Sequence, residues 1–299
     1  RKIPRQAQQA DTMPLWRKTQ RPCPTANRLM PANRFLCYNP ATFHPPDRPP
    51  ETMTADFRLR FSIQSWHAAS TRLHTGEDWA AWASGHLNAA DLPDTLPKVD
   101  FLPAMQRRRL GLSARLLFAA AHPLLAEGES CPLVLASHDG EINRSFDLWA
   151  TLFRDNEVSP TSFGLSVHNA LAGQWSMLRG DMSEYTALSV RQSGLESAVL
   201  EAAGLLADGA ERVLVLVADE PLQAQYPVAP VKRAPFAHAL ALLLTAGEKW
   251  ELSPAAYDGE AANCGYWGAL EWLRQRHSDG RKWINRYADK AWQWQRLTP

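Results

Sequence analysis

The sequence predicts an α/β layered fold, with helices flanking a sheet. Two runs, 132–136 (PLVLA) and 213–217 (VLVLV), are short and uninterruptedly apolar, as strands covered on both faces are. Segments of helical period lie before, between and after them. That alternation is the signature of a layered α/β domain.

Taken in order, residues 57–66 alternate apolar and polar (Phe57, Leu59, Phe61, Ile63) and read as a half-buried strand. Residues 77–88 set Trp79 and Trp82 at helical spacing. Residues 105–127 read as one long helix, with Leu110, Ala114, Leu117, Ala121 and Leu125 on one stripe. Gln106, Arg107, Arg108, Arg109 and Arg115 take its solvated positions, and Pro123 kinks or shortens it. Helices are predicted at 146–153, 169–178 and 195–207, the last ended by Gly209, and a further strand at 237–245. From Trp267 onward the chain reads as helical and is dense in tryptophan.

The 299 residues give ample length for a core, and 45% hydrophobic against 21% charged residues is an ordinary globular mixture. A formal charge of +1 argues against wholesale polyanion binding, so no nucleic-acid partner is expected. No apolar run approaches the ~20 residues that span a bilayer. The four cysteines (Cys23, Cys37, Cys131, Cys264) form no close pair, a poor zinc or disulfide signature. The expected compartment is reducing and cytoplasmic. No cofactor and no metal are expected.

The averages hide a break. Residues 1–52 hold ten of the 22 prolines and nine Lys/Arg against three Asp/Glu. They read as a disordered basic arm, and Met53 reads as the natural start. A nucleic-acid tether and an organelle-targeting segment are the other readings of the arm. Residues 53–250 form the expected domain, and 251–299 a Trp-rich helical tail packing on it or on a partner.

Three stretches carry a family resemblance: 134–141 (VLASHDGE), 158–173 (VSPTSFGLSVHNALAG) and 187–220, which opens ALSVRQSGLE and closes VLVLVADE. In order and spacing they resemble the N-terminal half of β-ketoacyl synthases of the thiolase-like fold. They are most similar to the short chain length factor type of aryl polyene gene clusters, which also ends in a tryptophan-rich tail. The resemblance implies a truncated thiolase-like fold with helices flanking a mixed sheet. Gly140 falls on a family turn glycine. In the family a strand ends at a nucleophilic cysteine, and two histidines from the C-terminal half assist it.

Here the elbow falls on Arg191 or Gln192, neither of them a nucleophile. Downstream of Glu220 only His238 and His277 remain, neither in a family motif, and the chain is too short for a second α/β half. The resemblance therefore implies a subunit without catalysis of its own. It would pair with a full-length ketosynthase and meet the acyl carrier protein through that complex. Thr161, Ser162 and Phe163 would help wall the partner's acyl tunnel, and His168 and Asn169 would cap a helix and pack at the interface.

The alternative is a stand-alone malonyl-carrier decarboxylase or acyltransferase using the Arg191/Gln192 elbow. Gln192 is read either as a thioester mimic or as a helix cap. Ser193 lacks the G-x-S-x-G setting of a serine nucleophile. His138, Asp139 and Glu141 read as a solvated turn ahead of metal ligands. The 107–109 arginines read as a solvated face ahead of a carrier-protein dock. The tryptophans read as core or interface anchors ahead of a stacking platform.

Overall fold

A computed structural model describes residues 57–226, 234–257, 267–278 and 280–297, so the basic arm lies outside the described residues. A seven-stranded mixed sheet organises the chain. Strand β1 (Leu59–Ser70) is followed by helices α1 (Gly76–Ala83), α2 (Ala104–Arg107) and α3 (Leu112–Ala121). Next come β2 (Leu133–Ser137), α4 (Ile142–Asp155), α5 (Pro160–Gly164), α6 (Ala170–Arg179) and β3 (Tyr185–Ser189). Helix α7 (Gly194–Ala207), β4 (Arg212–Asp219), β5 (His238–Ala255), α8 (Gly268–Arg276), β6 (Lys282–Arg286) and β7 (Ala291–Arg296) complete it.

Parallel β3, β2 and β4 lie side by side in that order, and β4 continues into antiparallel β5. The first half of β5 runs between β4 and β1, and its second half between β7 and β1. At β2, β4 and the first half of β5 both faces of the sheet are covered, which is why these strands are apolar without alternation. Val213, Val215 and Val217 pack with α7, α1, α8 and the β6–β7 hairpin. Leu214, Leu216 and Ala218 point the other way, onto α3 and α6. The fold is thus an α/β layered one.

Two expected elements differ. The long helix at 105–127 is broken at 108–111, although every residue of its stripe is buried. Gly111 is extended there, φ −67° and ψ 176°, and serves as the N-cap from which α3 starts afresh. The helix then stops at Ala121, and Pro123 sits in a single 3-10 turn.

Among the described residues of the tail only α8 is helical; residues 282–296 form a hairpin paired to β5. Its tryptophans recur at alternate positions, with Trp292 opposite Pro254 and Trp294 opposite Leu252. That is strand spacing, and burial of the Trp rings on the sheet outweighed the helical reading. Trp272 and Trp294 are fully buried in this chain's own core.

Candidate functional site

The C-terminal ends of parallel strands are where α/β sheets place their ligand sites. Here β2, β3 and β4 end together, and two acidic residues, Asp219 and Glu220, close β4 in the interior. Asp219 Oδ1 accepts from the Ser137 hydroxyl at 3.0 Å and from the His138 N–H at 2.8 Å. Ser137 Oγ in turn accepts the Gly140 N–H at 2.7 Å, which fixes the turn after β2. Asn143 donates to Glu220 at 2.8 Å and to the Pro221 carbonyl at 3.1 Å, and its own oxygen accepts the Gln223 N–H. Beside it Arg144 donates to Glu141 at 2.8 Å.

Of these groups Glu141, Asn143, Arg144 and Glu220 line a cleft of about 900 Å³, with Thr71 and Arg72 among its other walls. Ser162 also reaches its wall. Thr161 and Phe163 stand exposed on α5, Phe163 at 62%. Asn169 flanks the start of α6, but its side chain makes no capping bond. His168 is half-buried, with Nε2 3.4 Å from the Ser137 carbonyl, and burial lowers its pKa. Its ring stands where a Cβ on Gly140 would fall, 2.8 Å from Cδ2, and Gly140 has φ +56°. A side chain at 140 would be both strained and blocked.

The turn is not the solvated one expected. His138 Nδ1 lies 2.7 Å from Asp139, both half-buried, and Glu141 is buried. The hydrogen bond to Asp139 raises the His138 pKa. Among the described residues no group of three or more His, Cys, Asp or Glu side chains is placed to hold a metal ion.

Burial raises Asp219 to about 6 and Glu220 to about 7, with Glu141 adding to the rise at Glu220. Both values exceed those of an unfolded chain, so these carboxyls favour folding fully below about pH 4. That contribution fades as the pH climbs through 6 and 7. Glu220→Gln should therefore gain in melting temperature relative to wild type as the pH rises from about 5 to about 8. A constant difference across that range would remove the buried proton.

Strand β3 ends at Ser189, and α7 begins at Gly194. Between them Arg191 is exposed and Gln192 half-buried, and Ser193 is buried in a left-handed conformation, φ +55°. The elbow is therefore present as a sharp strand-to-helix turn, and neither Arg191 nor Gln192 brings a nucleophile to it. Gln192 does not cap α7. Its Oε1 accepts the Ala288 N–H at 2.8 Å, tying the elbow to the β6–β7 hairpin. Cys131 lies buried, its thiol pushed up to about 11 by burial. His238 is fully buried, its pKa lowered to about 4 by burial, and its Nδ1 lies 3.0 Å from the Phe236 carbonyl.

The sequence reading missed a further buried acid, apart from the Asp219–Glu220 pair. Glu196, in the first turn of α7, is fully buried. It accepts from Asn285 at 2.7 Å, the Tyr287 hydroxyl at 2.7 Å and the Trp294 indole at 3.0 Å. Its place on the apolar stripe of α7, beside Leu195 and Val199, was the available signal, because a carboxylate is almost never fully buried unless it is paired.

Residues 79–295 match the family described as "Beta-ketoacyl synthase, N-terminal domain". The chain belongs to that family. The match runs through the β6–β7 hairpin, and the fold is thiolase-like, as in solved ketosynthase structures. One is the ketosynthase ApeO in complex with its chain length factor ApeC from Xenorhabdus doucetiae, at 23% identity and TM-score 0.70. That similarity covers 80% of this chain and 100% of the other. The ishigamide ketosynthase/chain length factor is similar at 17% identity and TM-score 0.51, over 66% of this chain and 67% of that one. None of the curated proteins compared with the chain matches it in sequence. No helix of the described residues is long and apolar enough to cross a membrane.

Proposed function

We propose that this chain is a non-catalytic subunit of the chain length factor type, paired with a full-length β-ketoacyl-acyl carrier protein synthase in aryl polyene synthesis. The observation that carries the proposal is an elbow without a nucleophile beside an open sheet edge. A condensing enzyme needs a thiolate at that turn, where the helix N-terminus lowers the thiol pKa. This elbow offers Arg191 and a Gln192 already engaged by the chain's own hairpin.

Strand β3 pairs only with β2 among the described residues, so its outer row of backbone groups is open. Open edges are templates for pairing with another chain. Trp149 and Phe153 on α4, Phe163 on α5, Met177 on α6 and Met182 are exposed, and α6 packs beside β3. Large apolar side chains left exposed are candidates for an interaction surface. Two solved structures with this fold are described as a ketosynthase with its chain length factor, which supports a ketosynthase as the partner.

In this reading the chemistry belongs to the partner, and the acyl carrier protein docks on the pair. Thr161, Ser162 and Phe163 line the far wall of the partner's acyl tunnel, and their bulk limits how long the carrier-bound polyene grows. Phe163→Ala is expected to lengthen the products of the assembled pair. Unchanged product lengths in a well-folded pair would remove Phe163 from the wall.

A further inference from the structure

A second, smaller cleft lies on the side of β5 away from the acid cluster. It is bounded by Ile63, Trp66, Trp250 and Trp272, with Lys249, Arg276 and Arg296 among its walls, and encloses about 180 Å³. Three cations converge on it, and among the described residues no carboxylate lies within ion-pair distance of any of them. The neighbouring acids are already taken: Glu248 and Glu251 pair with Arg58 and Arg60.

The aromatic walls add a donor and no acceptor. Trp272 is fully buried, and its indole N–H has no hydrogen-bond partner. The indole N–H groups of Trp283 and Trp292, outside this cleft, are unpartnered in the same way. Trp272 meets Trp66 edge to face at 5.4 Å and Trp250 at 6.1 Å, and the Arg276 guanidinium stands 5.7 Å over the Trp66 ring. Burial and the charge of Arg296 both lower the Arg276 pKa, so the two guanidiniums repel each other across the cleft.

From this convergence of donors we infer that the Trp66–Trp250–Trp272 cleft binds a phosphate group, free or as an aromatic phosphate ester. Two guanidinium forks and an ammonium suit a tetrahedral dianion better than a single carboxylate. The volume exceeds that of one such group and leaves room beside the aromatic walls for a small organic substituent. The site lies across the sheet from β3 and is independent of the pairing face, so its test stands apart from that of the proposed function.

The full-length chain is titrated at constant ionic strength with inorganic phosphate, phenyl phosphate and acetate, followed by tryptophan fluorescence and calorimetry. Saturable binding of phosphate or phenyl phosphate, with acetate at least tenfold weaker, is the expected result. Tighter phenyl phosphate than phosphate would identify an ester as the ligand, and the reverse the free ion. Arg276→Gln and Arg296→Gln should each weaken binding about tenfold or more, since each removes a charge-assisted pair. Trp272→Phe, which keeps the ring and removes the N–H, should weaken it less. Arg274→Gln, whose guanidinium lies 4.6 Å over Trp82, should leave it unchanged. Absence of saturable binding, equal affinity for acetate, or equal affinity in Arg276→Gln and wild type would overturn the assignment.

Discussion

Glu196→Ala is expected to cost about 3–5 kcal/mol and to release the β6–β7 hairpin from α7. The carboxylate sits at the centre of three donors, from Asn285, Tyr287 and Trp294, all fully buried. Alanine takes the acceptor from the Asn285 amide and the Trp294 indole, both out of reach of water, and removes the Tyr287 contact. Each such orphan costs about 1–3 kcal/mol, partly relieved if the hairpin opens. Room for the network depends on Gly268, where a Cβ would collide with the Tyr287 hydroxyl.

Glu196→Gln separates charge from hydrogen bonding. Its carbonyl can accept from Asn285 and Trp294, and its amide can donate to the Tyr287 oxygen. A loss near 1 kcal/mol is expected for it, within the range of one ordinary hydrogen bond. Thermal unfolding of the three proteins distinguishes the cases. An alanine variant as stable as wild type would show that the hairpin is held by its tryptophans alone.

The second large effect concerns assembly. Trp149→Asp with Phe153→Asp should abolish association with the ketosynthase and leave the isolated chain as stable as before. The two rings stack at 5.8 Å on α4 and are 58% and 81% exposed, so the fold loses little when they become polar. An aromatic anchor buried at an interface is worth roughly 2–4 kcal/mol. The pair together would account for a drop of about a thousandfold or more in affinity. Association unchanged by both aspartates would move the interface away from α4.

The layered core was legible because its strands needed no alternation. Val213–Val217 and its neighbours are covered on both faces, and a short continuous apolar run means that and little else. The three motifs located the turn after β2, α5 and the elbow, including the acidic pair that closes β4. The stripe of the 105–127 segment is buried as its spacing predicts, but the extended Gly111 divides it into two helices. Contacts between distant segments were not legible. Glu196 lies more than eighty residues from its three donors. Gln192 looked like a cap because its bond partner, the Ala288 N–H, belongs to a segment whose tryptophans had been read at helical period. At the acid cluster, Asn143 carried no sequence signal, since one asparagine on a helix is unremarkable until Glu220 is placed beside it.

The central claim is that this chain is the silent half of a pair. It is tested most directly by co-expressing it with a full-length ketosynthase of its pathway, purifying through a tag on this chain, and weighing the complex under native conditions. A stable 1:1 complex that condenses malonyl-carrier units only while the ketosynthase cysteine is intact is the predicted result. A homo-oligomer indifferent to the ketosynthase, or release of carbon dioxide from malonyl-carrier protein by this chain alone, would contradict it.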